Sequence, residues 1–241
     1  MPWLELKIGA REQIQENSPR IFLVSSIYII LMTVMWQLIY KLPLATNAGE
    51  LYLQYLTEGY LLSNASIGTI LSFLRPSGIP FAFVLWLLTP VLDVGYANYC
   101  LKISRKQTGD HKDLFDGFLF SGKIVLIKIV TTVLVVLWSI PFFFPALAAY
   151  YRYRQAYYIL LDDPKKSALQ CIRESKHIMH GNKLDLFLLD LSFFGWVLLN
   201  SIVSLMFPLP FPLPLVSLWL TPYYGLTCAA YYNQLLKNIT V

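Results

Sequence analysis

The sequence predicts an all-α fold: a polytopic transmembrane bundle of about six spans, with amphipathic helices on the cytoplasmic side. Three observations carry that prediction. Hydrophobic residues make up 56% of the 241-residue chain and charged residues 14%, with a mean hydropathy of +0.55. Soluble domains carry about a quarter charged residues, so this balance belongs to a membrane class. Apolar runs recur along the chain at close to the roughly 20 residues a crossing helix needs. The basic residues gather between those runs.

Residues 3–17 place Leu4, Ile8, Arg11 and Ile14 at helical spacing, which reads as an amphipathic helix on the inner leaflet. The mixed charges there (Glu5, Glu12, Glu16) do not form a signal peptide. The expected spans run over about 21–40, 79–102, 124–141, 146–161, 186–207 and 215–236, in one integral membrane domain covering 1–241. Within the long loop 41–77, the tyrosine-bearing ELYLQYLTEGYLL suits the outer interface. Pro141 and Pro145 in PFFFP read as a tight outer hairpin, and PLPFPLPL (208–215) as an outer turn.

Asp162 and Asp163 before Pro164 suggest an N-cap and first-turn proline for a cytoplasmic helix over 164–180. Its apolar stripe is Leu169, Ile172, Ser175 and Met179, and Gly181 suits the position after its end. Orientation follows from counting Lys and Arg. With the N-terminus inside, fourteen fall on the cytoplasmic side against two outside, Lys41 and Arg75. Both termini are therefore expected in the cytoplasm, at the cell membrane.

Several stretches resemble a known family. They are Lys7, Ala10, Arg11 and Ile14 near the N-terminus, DLFDGF at 113–118, the run from Tyr157 to Trp196, and LWLTPYYGLTCAAYY at 218–232. Together they are similar to a bacterial integral-membrane family of unknown function, numbered nine-seventy-five. Its pattern reads D-N/D-P, then S-R-x-x-M-x-G-x-K, then F-x-L-x-L-S-F-x-G-W, then P-Y. The resemblance is expected to cover nearly the whole chain. Lys176 stands where the family usually has Arg, and PFFFP where it usually has Pro-Gly. The resemblance implies six membrane helices and assigns no activity, so no catalytic residue carries over.

No motif of catalysis or cofactor binding stands up. GFLFSGK (117–123) is one residue short of a phosphate loop, lacks the final hydroxyl and leads into a span. His177 and His180, one turn apart, have no third ligand beside them, and His111 lies on a separate loop. Cys100, Cys171 and Cys228 form no CxxC and are expected as reduced thiols. The net charge of +5 comes without an aromatic–basic RNA motif, so no nucleic-acid partner is expected. The expectation is no catalytic, cofactor or metal site. The lipid bilayer is the expected partner, with a second membrane protein or a further copy of the chain as a candidate.

The informative residues are charges at membrane depth, where a charge costs about 3 kcal/mol on insertion scales and so faces the bundle. Asp93, Arg152, Arg154 and Asp190 are the candidate network, tying spans two, four and five together, with Lys128 close enough to its span end to snorkel. Such a network either fixes packing alone or lines a polar cavity for an ion or lipid headgroup. Tyr150, Tyr151, Tyr153, Tyr157 and Tyr158 crowd span four beyond what its interfaces can hold. Gly225 and Ala229 give a small face for close helix approach. Lys165, Lys166, Arg173 and Lys176 form the candidate cytoplasmic partner surface. The first expectation for function is a non-enzymatic scaffold or accessory subunit of an envelope or transport system. The alternative is a small transporter or lipid-handling protein, with the absence of any visible internal repeat or broken helix against it.

Overall fold

The computed structural model describes residues 2–44, 79–140, 143–206 and 215–240. All regular structure among them is helical: α1 (Pro2–Glu16), α2 (Arg20–Leu44), α3 (Ile79–Ser104), a 3-10 helix (His111–Phe120), α4 (Ser121–Ser139), α5 (Phe143–Tyr153), α6 (Ala156–Asp162), α7 (Ala168–Ile178), α8 (Lys183–Leu191), α9 (Phe194–Met206) and α10 (Leu215–Thr240). The interfacial segment expected within 41–77 and the turn at 208–215 fall outside the described residues, apart from their helical edges at 41–44 and Leu215.

Four stretches are long and apolar enough to cross a membrane: Arg20–Ile39, Ala82–Ser104, His111–Ser139 and Lys183–Val203. They suit a membrane protein, as does their outward face. Leu23, Ile30, Leu126, Ile129, Val133 and Val136 are large, apolar and exposed, which hydrocarbon accommodates and water does not.

Residues 146–161 are not one helix. The chain turns at Arg154 and Gln155, separating α5 from α6. The stretch expected at 186–207 starts earlier, at Lys183, and is also divided, with Ser192 and Phe193 between α8 and α9. The expectation of unbroken helices is corrected here. The turn at 192–193 is closed by the amides of Ser192 and Phe193, which reach the carbonyls of Leu188 and Asp190 at 3.0 and 2.9 Å.

The chain separates into two compact units, residues 1–30 with 90–241, and residues 31–89. In the smaller unit Phe83 and Trp86 stack and the Thr89 hydroxyl bonds the Trp86 carbonyl at 2.8 Å. In the larger unit α1 packs along α10, burying Ala10 and Ile14, while Leu4 and Ile8 point outward. Gly95 and Gly117 let the 3-10 helix touch the backbone of α3: a Cβ on either would overlap the carbonyl oxygen of Leu114 or Val91. Gly117 thus serves packing. Gly225 brings α10 against Cys100 and Tyr96 of α3, and Ala229 is fully buried beside it in sequence, as the small-residue spacing predicts.

The 3-10 helix is anchored by its acids. Asp110 caps it, and Lys102 of α3 meets Asp113 at 2.6 Å and Asp116 at 3.4 Å. Arg105, just past α3, grips Asp162 at the end of α6 through both guanidinium nitrogens, at 2.6 and 3.0 Å, and Tyr232 donates to the same carboxylate at 2.8 Å. That charge-assisted fork holds the Arg105 pKa above its ordinary value.

The helix expected from Pro164 begins at Ala168. Ser167 is its N-cap, accepting from the Gln170 amide at 3.3 Å while the Gln170 side chain accepts from the Ser167 amide at 2.8 Å. A reciprocal capping box satisfies two end amides, whereas Asp162 is already committed to Arg105 and Tyr232. The buried stripe is Ala168, Cys171, Ile172, Ser175 and Met179, and Leu169 faces out. Gly181 adopts a φ of +86°, the left-handed conformation glycine favours.

Candidate functional site: a tyrosine-lined cavity at two helix breaks

A cavity of about 850 Å³ lies inside the larger unit, walled by α3, α4, α5, α6, α8 and α10 with Tyr28 of α2. Its walls are irregular. Pro90 sits within α3 and Pro222 within α10, each removing a ladder donor, and the α5–α6 break borders the space directly.

The α5–α6 break delivers Arg154 to the cavity and α8 delivers Asp190. The two form an ion pair, and Arg154 also donates to the Tyr224 hydroxyl. Tyr151 and Tyr224 donate to the two oxygens of Asp190 at 3.0 and 2.9 Å. A buried pair is stable only when its remaining hydrogen-bonding capacity is met, and these phenols meet it. Rings of Tyr150, Tyr151 and Tyr224 lie about the guanidinium, with centroids 5.9, 6.0 and 5.8 Å from its carbon.

Asp93 faces the same cavity from α3, but neither arginine reaches it. Its Oδ1 accepts from Tyr28 at 2.7 Å, and Lys128 of α4 also lines the cavity within electrostatic range of Asp93. Arg152, two residues from Arg154, leaves in another direction. It lies over the Trp138 ring at 5.8 Å and lines a second cavity with Arg173, Lys176 and Lys183. The four-membered network expected from the sequence is therefore half formed: Arg154 and Asp190 pair, Asp93 and Arg152 do not join them. The chain turn explains the split of the arginines, because Arg152 lies on α5 while Arg154 lies in the turn that follows it.

The cavity also presents a buried polar atom with no partner among the described residues. Tyr150, Tyr153, Tyr157 and Tyr158 line the space around it. Gln155 is 2% exposed and its Oε1 has no donor. Sequence reasoning missed Gln155 and Tyr28. Gln155 was legible as an amide next to two arginines in an apolar run, whereas nothing local marks Tyr28 as the partner of Asp93.

Of the expected partner surface, Lys166 pairs with Glu174 at 2.7 Å, which holds the lysine's pKa above its ordinary value. Lys165 is exposed, and its amide reaches Asp163 at 3.1 Å. Arg173 and Lys176 are exposed at the second cavity. His111 lies against Asp110, while His177 and His180 line the second cavity, so the three histidines do not assemble. Among the described residues no group of three or more His, Cys, Asp or Glu is placed to hold a metal. The three cysteines are buried and free.

No curated protein and no solved structure matches the chain. A family model does, over the C-terminal part alone; the motifs at 7–14 and 113–118 lie outside the match. Residues 143–239, which hold both helix breaks together with Arg154 and Asp190, match the model of the family described as Protein of unknown function (DUF975).

Proposed function

We propose that this protein is a six-pass cell-membrane protein that binds a small amphipathic molecule inside its helical bundle, as a small transporter or lipid-handling protein without catalytic chemistry. The observation that carries the reading is the buried, unpartnered Oε1 of Gln155 facing the cavity. A buried acceptor without a donor in an apolar environment costs free energy, so it signals a site completed by something else. Pockets that take small molecules span about 300–1,000 Å³, combining apolar walls with a few convergent polar groups. This one has aromatic walls, a balanced set of charges and a row of phenols.

In this reading residues 143–162 cross the bilayer as a split helix, and the basic loops share the cytoplasmic side with both termini. The broken helices also remove an objection to transport, since discontinuous helices commonly form substrate sites near the midplane. The scaffold role expected first keeps one support, the exposed basic face of Lys165, Arg173 and Lys176.

The test is native mass spectrometry of the full chain purified in mild detergent, comparing wild type with Gln155→Leu and the cavity-filling Thr132→Phe. A small molecule that co-purifies with wild type and is lost in both variants is the expected result. A wild type that purifies without one, and gains thermal stability from Thr132→Phe, overturns the reading, since a mere void is improved by filling.

A further inference from the structure

The second cavity, about 640 Å³, is lined by Arg152, Arg173, Lys176, His177, His180 and Lys183 with Ile178 and Asn182, and no carboxylate borders it. None of the four permanent cations there makes an ion pair within the described residues. Two acids of the flanking helices are committed elsewhere: Glu174 holds Lys166, and Asp190 holds Arg154. Asp185, in the first turn of α8, is exposed and does not line the cleft. Like charges gathered on one concave surface repel one another and raise the local positive potential.

The backbone holds them together regardless. The Ser175 hydroxyl donates to the Arg152 carbonyl at 2.8 Å, fixing α5 to α7 beneath the cleft. The Asn182 side chain donates to the Ile178 carbonyl at 3.0 Å, and Tyr231 of α10 donates to the Asn182 carbonyl at 2.9 Å, so the turn at Gly181 is pinned on both sides. Lys176 and His177 suit the C-terminal end of α7, but Lys183 opens α8, where the helix dipole disfavours a cation. Arg152 is steadied over Trp138.

We infer that this cleft binds a phosphate group, with the guanidinium forks of Arg152 and Arg173 and the ammonium groups of Lys176 and Lys183 as donors. Planar guanidinium groups match phosphate oxygens in pairs, and lysines add point charge. The inference is independent of the tyrosine-lined cavity. Two sources share this chemistry, the headgroup of an anionic phospholipid and a soluble phosphate compound.

Calorimetric titration of the detergent-purified full chain with dioctanoyl phosphatidylglycerol, dioctanoyl phosphatidylcholine and inorganic pyrophosphate separates them. Phosphatidylglycerol binding without pyrophosphate binding assigns the lipid headgroup, and the converse assigns a soluble phosphate. In either case Lys176→Gln/Lys183→Gln weakens binding by at least about tenfold, with the melting temperature unchanged. Arg152→Gln does the same, while Lys112→Gln/Lys165→Gln, which removes equal charge elsewhere, has little effect. Absence of binding by both anionic probes overturns the inference. So does equal weakening by the two double variants, or equal affinity for phosphatidylcholine.

Discussion

Arg154 and Asp190 are paired across two interrupted helices. Arg154 is the first residue beyond α5, and Asp190 lies in the last turn of α8 before its break. The interruptions and the ion pair occur together, so the charges that should disfavour a membrane position are concentrated where the helices already depart from regularity. Tyr151 and Tyr224 complete the arrangement.

Removing one member of that part-buried pair leaves the other charged and largely enclosed, at a cost below the roughly 3–5 kcal/mol of a fully buried pair. Arg154→Gln and Asp190→Asn should each sharply lower thermal stability in detergent, and the swap Arg154→Asp/Asp190→Arg should recover part of it. Asp93→Asn forfeits one charge-assisted bond, from Tyr28, and should cost about 1.5–3 kcal/mol. An Asp93/Arg152 swap should rescue nothing; rescue would show that those two meet after all.

Glycine substitutions separate packing from flexibility. Gly95→Ala and Gly117→Ala drive a methyl into backbone oxygens, and overpacking of this kind costs about 1–3 kcal/mol or more. Gly122, early in α4, has nothing within 4 Å of a built Cβ, so Gly122→Ala should be neutral or stabilising by up to about 1 kcal/mol. Melting curves of the three variants check the contrast.

The start of α7 is tested at its cap. Ser167→Ala should cost about 0.5–2 kcal/mol, and Pro164→Ala much less, because Pro164 lies before the helix. Equal effects would restore the earlier start at Pro164.

Acid should loosen the start of the 3-10 helix. The His111 amide, then the His111 side chain, hold the Asp110 pKa below its ordinary value of 3.8. A lowered carboxylate pKa contributes stability above the unfolded value, lost as pH falls through the folded one. Hydrogen exchange at residues 111–113 should therefore accelerate below about pH 4, and Asp110→Asn should remove that acid step.

Membrane sidedness is open to a direct check. Since Cys100, Cys171 and Cys228 are all buried, a cysteine introduced at exposed Lys165 should dominate labelling. It should react with membrane-impermeant maleimide only after cells are opened. Labelling of intact cells would place the 162–183 loop outside and end the six-pass reading.

Residues with a strong local signature were legible in the sequence. Apolar run length marked the helices, Gly181 marked a left-handed turn, and the Gly225–Ala229 spacing marked a close helix contact. The charges Arg154 and Asp190 stood out because water-loving groups are costly in an apolar run. Less visible were the helix breaks at 154–155 and 192–193, which carry no proline, and the start of α7, where a capping box prevailed over an N1 proline.

What the sequence alone determined is that this chain is helical and apolar, and that its few interior charges need partners. The tertiary structure alone decided which partners they take. A charge's cost depends on its own surroundings and is written in one stretch of residues, whereas pairing depends on rotation and register between helices far apart in the chain. Asp93 therefore went to Tyr28, and Arg152 to a basic cleft, although both carried the same local signal as the two residues that met.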